Sequence, residues 1–294
     1  MTHTSTRLWA WLAVLPAMLL FLCFKVYPAV GTFIFSLTDF RGNINNFHWV
    51  GVENYHKVIT LNKKELWNSI RISLTFSFGV TLVQNVLAIA LAVLVNMKLR
   101  LRNFYRAVIF MPNVLGVVII GFLWKLIFDP YSGPVSLFLS WFHMNSALLG
   151  SKDAALPLVM FIQLWASVGY AMVLYVSGLQ DIPEHLYESA SIDGATGWKK
   201  FRYVTLPMLQ PMITVNLMLS IIGSLKVFDI IMILTNGGPG QATTTIGLYA
   251  FQSIFSANES QGFASALSIL QFLFILFFAA IAQFILRRRE AQLQ

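Results

Sequence analysis

Ser73-Leu-Thr-Phe-Ser-Phe-Gly-Val-Thr-Leu-Val-Gln-Asn-Val-Leu-Ala-Ile-Ala-Leu-Ala-Val-Leu-Val-Asn-Met97 carries no charged side chain from end to end. A bilayer core needs about 20 consecutive apolar residues in a helix, and this stretch exceeds that. Five others match it: Trp9–Ser36, Ala107–Phe128, Leu156–Leu179, Met208–Leu234 and Phe263–Leu286. Lys25, Lys125, Lys226 and Asp229 are the only charges in all six. Runs of this length and polarity predict an all-α membrane protein with six transmembrane helices.

Composition agrees. Of 294 residues, 57% are hydrophobic and 11% charged, against roughly 25% charged in an average soluble domain. Mean hydropathy is +0.70. A soluble fold cannot hide that much apolar surface. The single Cys23 excludes an internal disulfide or a cysteine metal cluster. Five scattered histidines (His3, His48, His56, His143, His185) show no ligand spacing, so no metal is expected. The net charge of +8 is spread over the connections rather than gathered in a patch. It therefore points to the bilayer surface and not to nucleic acid.

The first apolar run is too long for a signal peptide and has no A-x-A-like cleavage site after it. It reads as an uncleaved anchor, tilted or broken near Pro28. With the N-terminus inside, eleven basic residues fall on the cytoplasmic side: Arg7, Lys98, Arg100, Arg102, Arg106, Lys199, Lys200, Arg202, Arg287, Arg288 and Arg289. Six fall outside: Arg41, Lys57, Lys63, Lys64, Arg71 and Lys152. The positive-inside rule then places both termini in the cytoplasm. The chain divides into a tail and first span (1–36), an extracytoplasmic loop (37–72), a five-helix core (73–286) with a loop at 181–207, and a basic tail (287–294). No connection holds an enzyme domain. Gly-Lys never occurs, so there is no P-loop, and neither H-E-x-x-H nor G-x-S-x-G appears.

The connection Asp181–Pro207 is not a passive link. Asp181 stands where an N-cap is expected, with Pro183 in the first turn and Glu184 three residues on, as in a capping box. A short helix should run to about Ser191 with Leu186, Tyr187 and Ala190 on one face. Asp193-Gly194 marks a turn. A second short helix through Trp198 and Phe201 then meets Pro207, expected in the first turn of the fifth span. From residue types alone, this helix–turn–helix either rests on lipid headgroups or docks a partner.

The run Glu188-Ser-Ala190-Ser-Ile-Asp193-Gly194-Ala195, followed by Phe201 and Leu206-Pro207, resembles the E-A-A-x-x-D-G-A…F…L-P loop. That loop marks permease subunits of binding-protein-dependent ABC importers; Ser189 replaces its first Ala. Tyr27-Pro28, Ser36-Leu-Thr-Asp39-Phe40, Trp49-Val-Gly51-Val-Glu53-Asn54-Tyr55, Arg106…Met111-Pro112, Trp124-Lys125…Phe128-Asp129-Pro130 and Leu234-Thr235-Asn236-Gly237-Gly238-Pro239 resemble the carbohydrate branch, the maltose- and glycerol-3-phosphate-type permeases. The resemblance implies a type I importer fold in a prokaryotic inner membrane, paired with a second, similar permease, two ATPase subunits and an extracytoplasmic solute-binding protein. It implies that Glu188, Ala190, Asp193, Gly194, Ala195, Phe201 and Pro207 form the coupling helix that docks the ATPase. The ATP and Mg²⁺ would then be bound by the partner subunits, with no cofactor in this chain.

Polar side chains inside a span face protein or a cavity. Gln163, Ser167 and Tyr170 fall at i, i+4 and i+7 of the fourth segment; Ser220 and Ser224 share a face of the fifth, with Asn216 a turn earlier. Together with Trp165 they offer the hydrogen-bonding groups and aromatic surface a sugar requires. They equally suit helix-to-helix hydrogen bonding. The resemblance favours a substrate path, since related disaccharide permeases line their cavity with these two helices. Lys226 with Asp229, and Lys125 with Asp129, are spaced for local ion pairs, the alternative being substrate contact; Gln84 and Asn85 have no assigned role. A stand-alone secondary transporter or channel would call for deep ionisable residues and an internal repeat; the second, fourth and sixth segments contain no charge, and no repeat is found. A membrane-embedded enzyme needs paired catalytic groups, and Asp229 is the only acid in any span.

Overall fold

The computed structural model describes residues 3–43, 47–97, 100–144, 147–256 and 259–291. Lys98 and the last three residues of the basic tail lie outside this set. Among the described residues the chain is helical, with no β-strand and one isolated bridge, Thr38 with Trp49. Four helices are long and apolar enough to cross a membrane, Ala13–Ser36, Lys63–Asn96, Ala155–Gln180 and Gln261–Arg288. Two bent pairs bring the total to six when each counts as one span.

The helices run in order: α1 (His3–Phe21), α2 (Tyr27–Ser36), α3 (Glu53–Thr60), α4 (Lys63–Asn96), α5 (Arg102–Val114), α6 (Val117–Ile127), α7 (Pro134–Ser140), α8 (Ala155–Gln180), α9 (Glu184–Ile192), α10 (Gly197–Lys200), α11 (Leu206–Met208), α12 (Gln210–Leu225), α13 (Asp229–Leu234), α14 (Ile246–Ile254) and α15 (Gln261–Ala291). Two widened π-helical turns, Leu22–Val26 and Phe201–Thr205, precede Pro28 and Pro207. A proline cannot donate to the carbonyl four residues back, and the loosened ladder takes in an extra residue there. The break expected near Pro28 is therefore a π turn ahead of it rather than an interruption.

Two compact units are present. The first comprises the chain up to Leu66 together with Tyr249–Phe272. In it the buried Asn54 amide donates to the Ser36 carbonyl at 2.9 Å and the Thr38 carbonyl at 2.8 Å, fastening α3 to the end of α2. Val58, Ala250, Phe263 and Leu267 form its apolar core.

The second unit holds Trp67–Leu248 and the chain from Leu273. One core cluster joins Phe76 and Val80 of α4, Ile120 of α6, Val159 and Ile162 of α8, and Ile230 and Ile231 of α13. Another joins Ala88, Ala92 and Val95 of α4 to Ala171, Met172, Tyr175 and Val176 of α8 and to Leu209. α5 lies against α8 so closely that a Cβ on Gly169 would sit 2.3 Å from the Ile109 carbonyl oxygen.

The third and fifth apolar segments are not straight spans. The third breaks at Leu115 and Gly116, both extended, and its halves α5 and α6 meet at 95°. Pro112 and Gly116 permit the break; hydropathy, which counts only side chains, does not register it. The fifth is bent by 68° at Leu209 and interrupted again between Leu225 and Asp229. α12 proper starts at Gln210, with Pro211 in its first turn, so Pro207 belongs to the preceding helical stretch and not to the span's first turn. The expected capping box is also absent. Asp181 ends α8, and Pro183 is the extended residue that caps α9, with no side-chain capping bond. Ile182, the residue before this proline, lies outside α9, as the steric bias against helical backbone at such positions favours.

Candidate substrate path and coupling loop

α8 and α12 bring both polar stripes to one place. Gln163, Ser167, Tyr170, Ser220 and Ser224 line a single cavity of about 150 Å³, with Gln84, Asn216 and Gly223 among their neighbours. A second cavity of about 350 Å³ shares Gln163, Ser167 and Gly223, and adds Asn113, Lys226 and Asp229. A Cβ on Gly223 would meet nothing within 4 Å, so this glycine opens the wall where the cavities adjoin.

The five residues differ in what their polar atoms do. Ser224 Oγ donates to the Ser220 carbonyl at 2.7 Å and lies 2.7 Å from Ser77 Oγ and 3.3 Å from Thr81 Oγ1. It ties α12 to α4. Ser167 Oγ donates to the Gln163 carbonyl at 2.7 Å and keeps its lone pairs. The Gln163 amide and the Tyr170 hydroxyl have no protein partner among the described residues. Trp165 does not line either cavity; it packs edge-on to Trp124 at 5.4 Å, within an aromatic group that includes Phe128. The aromatic surface at the smaller cavity is therefore that of Tyr170, while Phe228 lines the larger one.

Neither expected ion pair forms. Asp229 Oδ1 accepts the Ile230 N–H at 2.9 Å, at the start of α13. Asp129 Oδ1 accepts from the Ser132 N–H at 2.8 Å, and from the Tyr131 N–H and Ser132 hydroxyl at 3.0 Å each. These bonds, the Ser132 N–H first, hold the exposed Asp129 carboxyl below its ordinary pKa. Each acid satisfies a backbone end, which a rigid local geometry rewards more than a long, solvated lysine. Gln84, Asn113 and Gly223 escaped assignment from the sequence. Their signal was there, a polar or side-chain-free residue in an apolar run, but only the packing shows which way each faces.

The loop between α8 and α12 is held from behind and open in front. Leu186 and Tyr187 pack on the second core cluster, and the Tyr187 hydroxyl lies 3.0 Å from Thr205 Oγ1. Gly194 has φ +73° and closes the turn, with the Ala195 N–H bonded to the Ala190 carbonyl at 2.9 Å. Glu188 and Asp193 are exposed, Ala190 and Ala195 half-buried. Phe201 opens the π turn and Pro207 lies in α11, both half-buried. Ile192, Trp198 and Tyr203 stand 87%, 71% and 75% exposed, an apolar surface this chain does not cover itself.

Residues 84–291 match the family of binding-protein-dependent transport system inner membrane components. The chain is 35% identical over 272 residues to the trehalose/maltose transport system permease protein MalF of Thermococcus litoralis, covering 92% of this chain and 91% of that one. It is 32% identical over 289 residues to the probable starch degradation products transport system permease protein AmyD of Thermoanaerobacterium thermosulfurigenes, covering 97% and 96%. Its fold is shared with a chain in the crystal structure of a bacterial ABC transporter involved in the import of the acidic polysaccharide alginate. There the TM-score is 0.83 over 96% of both chains, at 24% identity.

Proposed function

The chain belongs to the family of binding-protein-dependent transport system inner membrane components, and from that premise we propose that it is the permease subunit of an ATP-driven sugar or oligosaccharide importer. It crosses the membrane several times, with both termini on the cytoplasmic side. A second, similar permease completes the path, two ATPase subunits bind ATP and Mg²⁺, and an extracytoplasmic binding protein delivers the solute. Its relatives support a carbohydrate: their names include trehalose, maltose and starch degradation products. The chain itself carries out no hydrolysis.

The observation that carries this reading is the cavity between α8 and α12, where Gln163 and Tyr170 present unpaired polar atoms beside Ser167 and Ser220. Gln163 is half-buried and Tyr170 exposed to the cavity, so their polar atoms are free to bond a sugar hydroxyl during transit. The Tyr170 ring offers a flat apolar face to the sugar's C–H surface. On the cytoplasmic side Glu188, Ala190, Asp193, Gly194, Ala195, Phe201 and Pro207 form the coupling element. Ile192, Trp198 and Tyr203, bared on the same loop, supply apolar contact area for the ATPase.

Reconstitution of the full complex tests the path. Gln163→Ala and Tyr170→Phe should each lower sugar uptake about 2- to 12-fold, the worth of one hydrogen bond, while the complex still assembles. Unchanged uptake in both variants would remove Gln163 and Tyr170 from the substrate path.

A further inference from the structure

Asn85 sits on α4 behind the cavity wall, 6% exposed. Its Oδ1 accepts the Tyr175 hydroxyl at 2.5 Å, and its Nδ2 donates to the Thr81 carbonyl at 2.8 Å. A carbonyl can only accept, so the Thr81 bond assigns the nitrogen end of the amide. That same nitrogen reaches Ser220 Oγ at 3.3 Å.

A serine hydroxyl has one proton and two lone pairs. The Asn85 N–H takes a lone pair of Ser220, so the Ser220 proton must point elsewhere. No protein acceptor takes it among the described residues, and Ser220 lines the cavity with Gln163 and Tyr170. Ser224, one turn on, spends its proton on the Ser220 carbonyl. Two serines on one helical face thus differ: one is a donor to the cavity, the other a strut.

We propose that Asn85 is a positioning residue for transport, holding Ser220 with its O–H aimed into the cavity as a donor to an oxygen of the passing solute. This rests on the cavity being the sugar path. The Thr81 bond stays within α4, and helix-to-helix bonding by an asparagine accounts for the contacts to Tyr175 of α8 and Ser220 of α12, but gives the direction of the Ser220 proton no consequence.

The test is a double-mutant cycle in the complete reconstituted transporter. It reads sugar delivered per ATP hydrolysed, with radiolabelled maltose, trehalose and lactose as probes. Ser220→Ala and Asn85→Leu should each lower the yield about 2- to 12-fold, and the double variant should fall no further than the worse single. If Asn85→Leu does not assemble, Tyr175→Phe takes its place; it frees one end of the amide and should give a smaller loss, again absent in the Ser220→Ala background. A normal yield for Ser220→Ala overturns the reading of the cavity, and this proposal with it. A lowered Ser220→Ala yield with an additive double variant, or an undiminished yield on changing Asn85 or Tyr175, overturns the role of Asn85 alone.

Discussion

The Tyr187 hydroxyl and Thr205 Oγ1 face each other at 3.0 Å, bridging α9 to the helical stretch that leads into α12. Thr205 is buried, Tyr187 half-buried against the core. Movement of α9 must therefore pull on the base of α12, the helix that carries Ser220 and Gly223. Tyr187→Phe removes the bridge at a cost of about 1 kcal/mol without changing the packing of the ring. The variant complex should assemble and hydrolyse ATP, but binding-protein stimulation should drop. Thr205→Val should do the same, and the pair together no more than either alone. Hydrolysis measured with and without binding protein decides; full stimulation in both singles rules the bridge out as a link.

Gly194 has φ +73° and nothing within 4 Å of where a Cβ would stand. Substitution there meets strain without collision. Gly194→Val should cost on the order of 1–3 kcal/mol of backbone strain and misalign Glu188 and Asp193, reducing ATPase recruitment. Gly194→Asn, whose side chain tolerates the left-handed region, should retain most of it. Co-purification of the ATPase with each variant is the readout, and equal recruitment by Val and Asn counts against the turn.

Gly169 and Gly223 present opposite cases. A Cβ at Gly169 collides with the Ile109 carbonyl and the Phe110 Cα, whereas one at Gly223 enters open space. Gly169→Ala should destabilise the helix pair by about 1–3 kcal/mol and lower the melting temperature in detergent. Gly223→Leu should melt normally yet fill part of the cavity of about 150 Å³ and suppress uptake. A Gly223→Leu complex with normal uptake would place the path elsewhere.

The Asp129 carboxyl is held below its ordinary pKa by the N–H groups of Ser132 and Tyr131. Since the folded value is the lower one, the turn is fully supported above the unfolded value of about 3.9 and loses that support as pH falls through the folded value. Protection of the Ser132 amide from hydrogen exchange, corrected for intrinsic rates, should decline below about pH 4. Asp129→Ala should lose the protection at neutral pH; unaltered protection there would show that other contacts hold the turn.

Six apolar segments, the turn at Gly194 and the absence of a P-loop were legible in the sequence. Each depends on properties of neighbouring residues: hydropathy summed along one helix, glycine's freedom at one φ, a motif of adjacent side chains. The breaks at Leu115–Gly116 and ahead of Asp229 were not legible, although Pro112 and Gly116 allowed the first. The second is stabilised across the chain, with Thr245 Oγ1 donating to the Val227 carbonyl at 2.9 Å, a bond between residues 18 apart. Lys226 and Asp229 had the spacing of an ion pair, yet the carboxylate took the backbone of α13. Ser220 and Ser224 are indistinguishable on a helical wheel. Their division into donor and strut came from Asn85, Ser77 and Thr81 of α4, between 135 and 147 positions away. The sequence by itself determined where the chain is apolar enough to enter a bilayer. Tertiary structure alone decided which buried polar atoms are spent on one another and which are left facing the cavity, because a hydrogen bond is settled by the partner that packing brings within 3 Å or so.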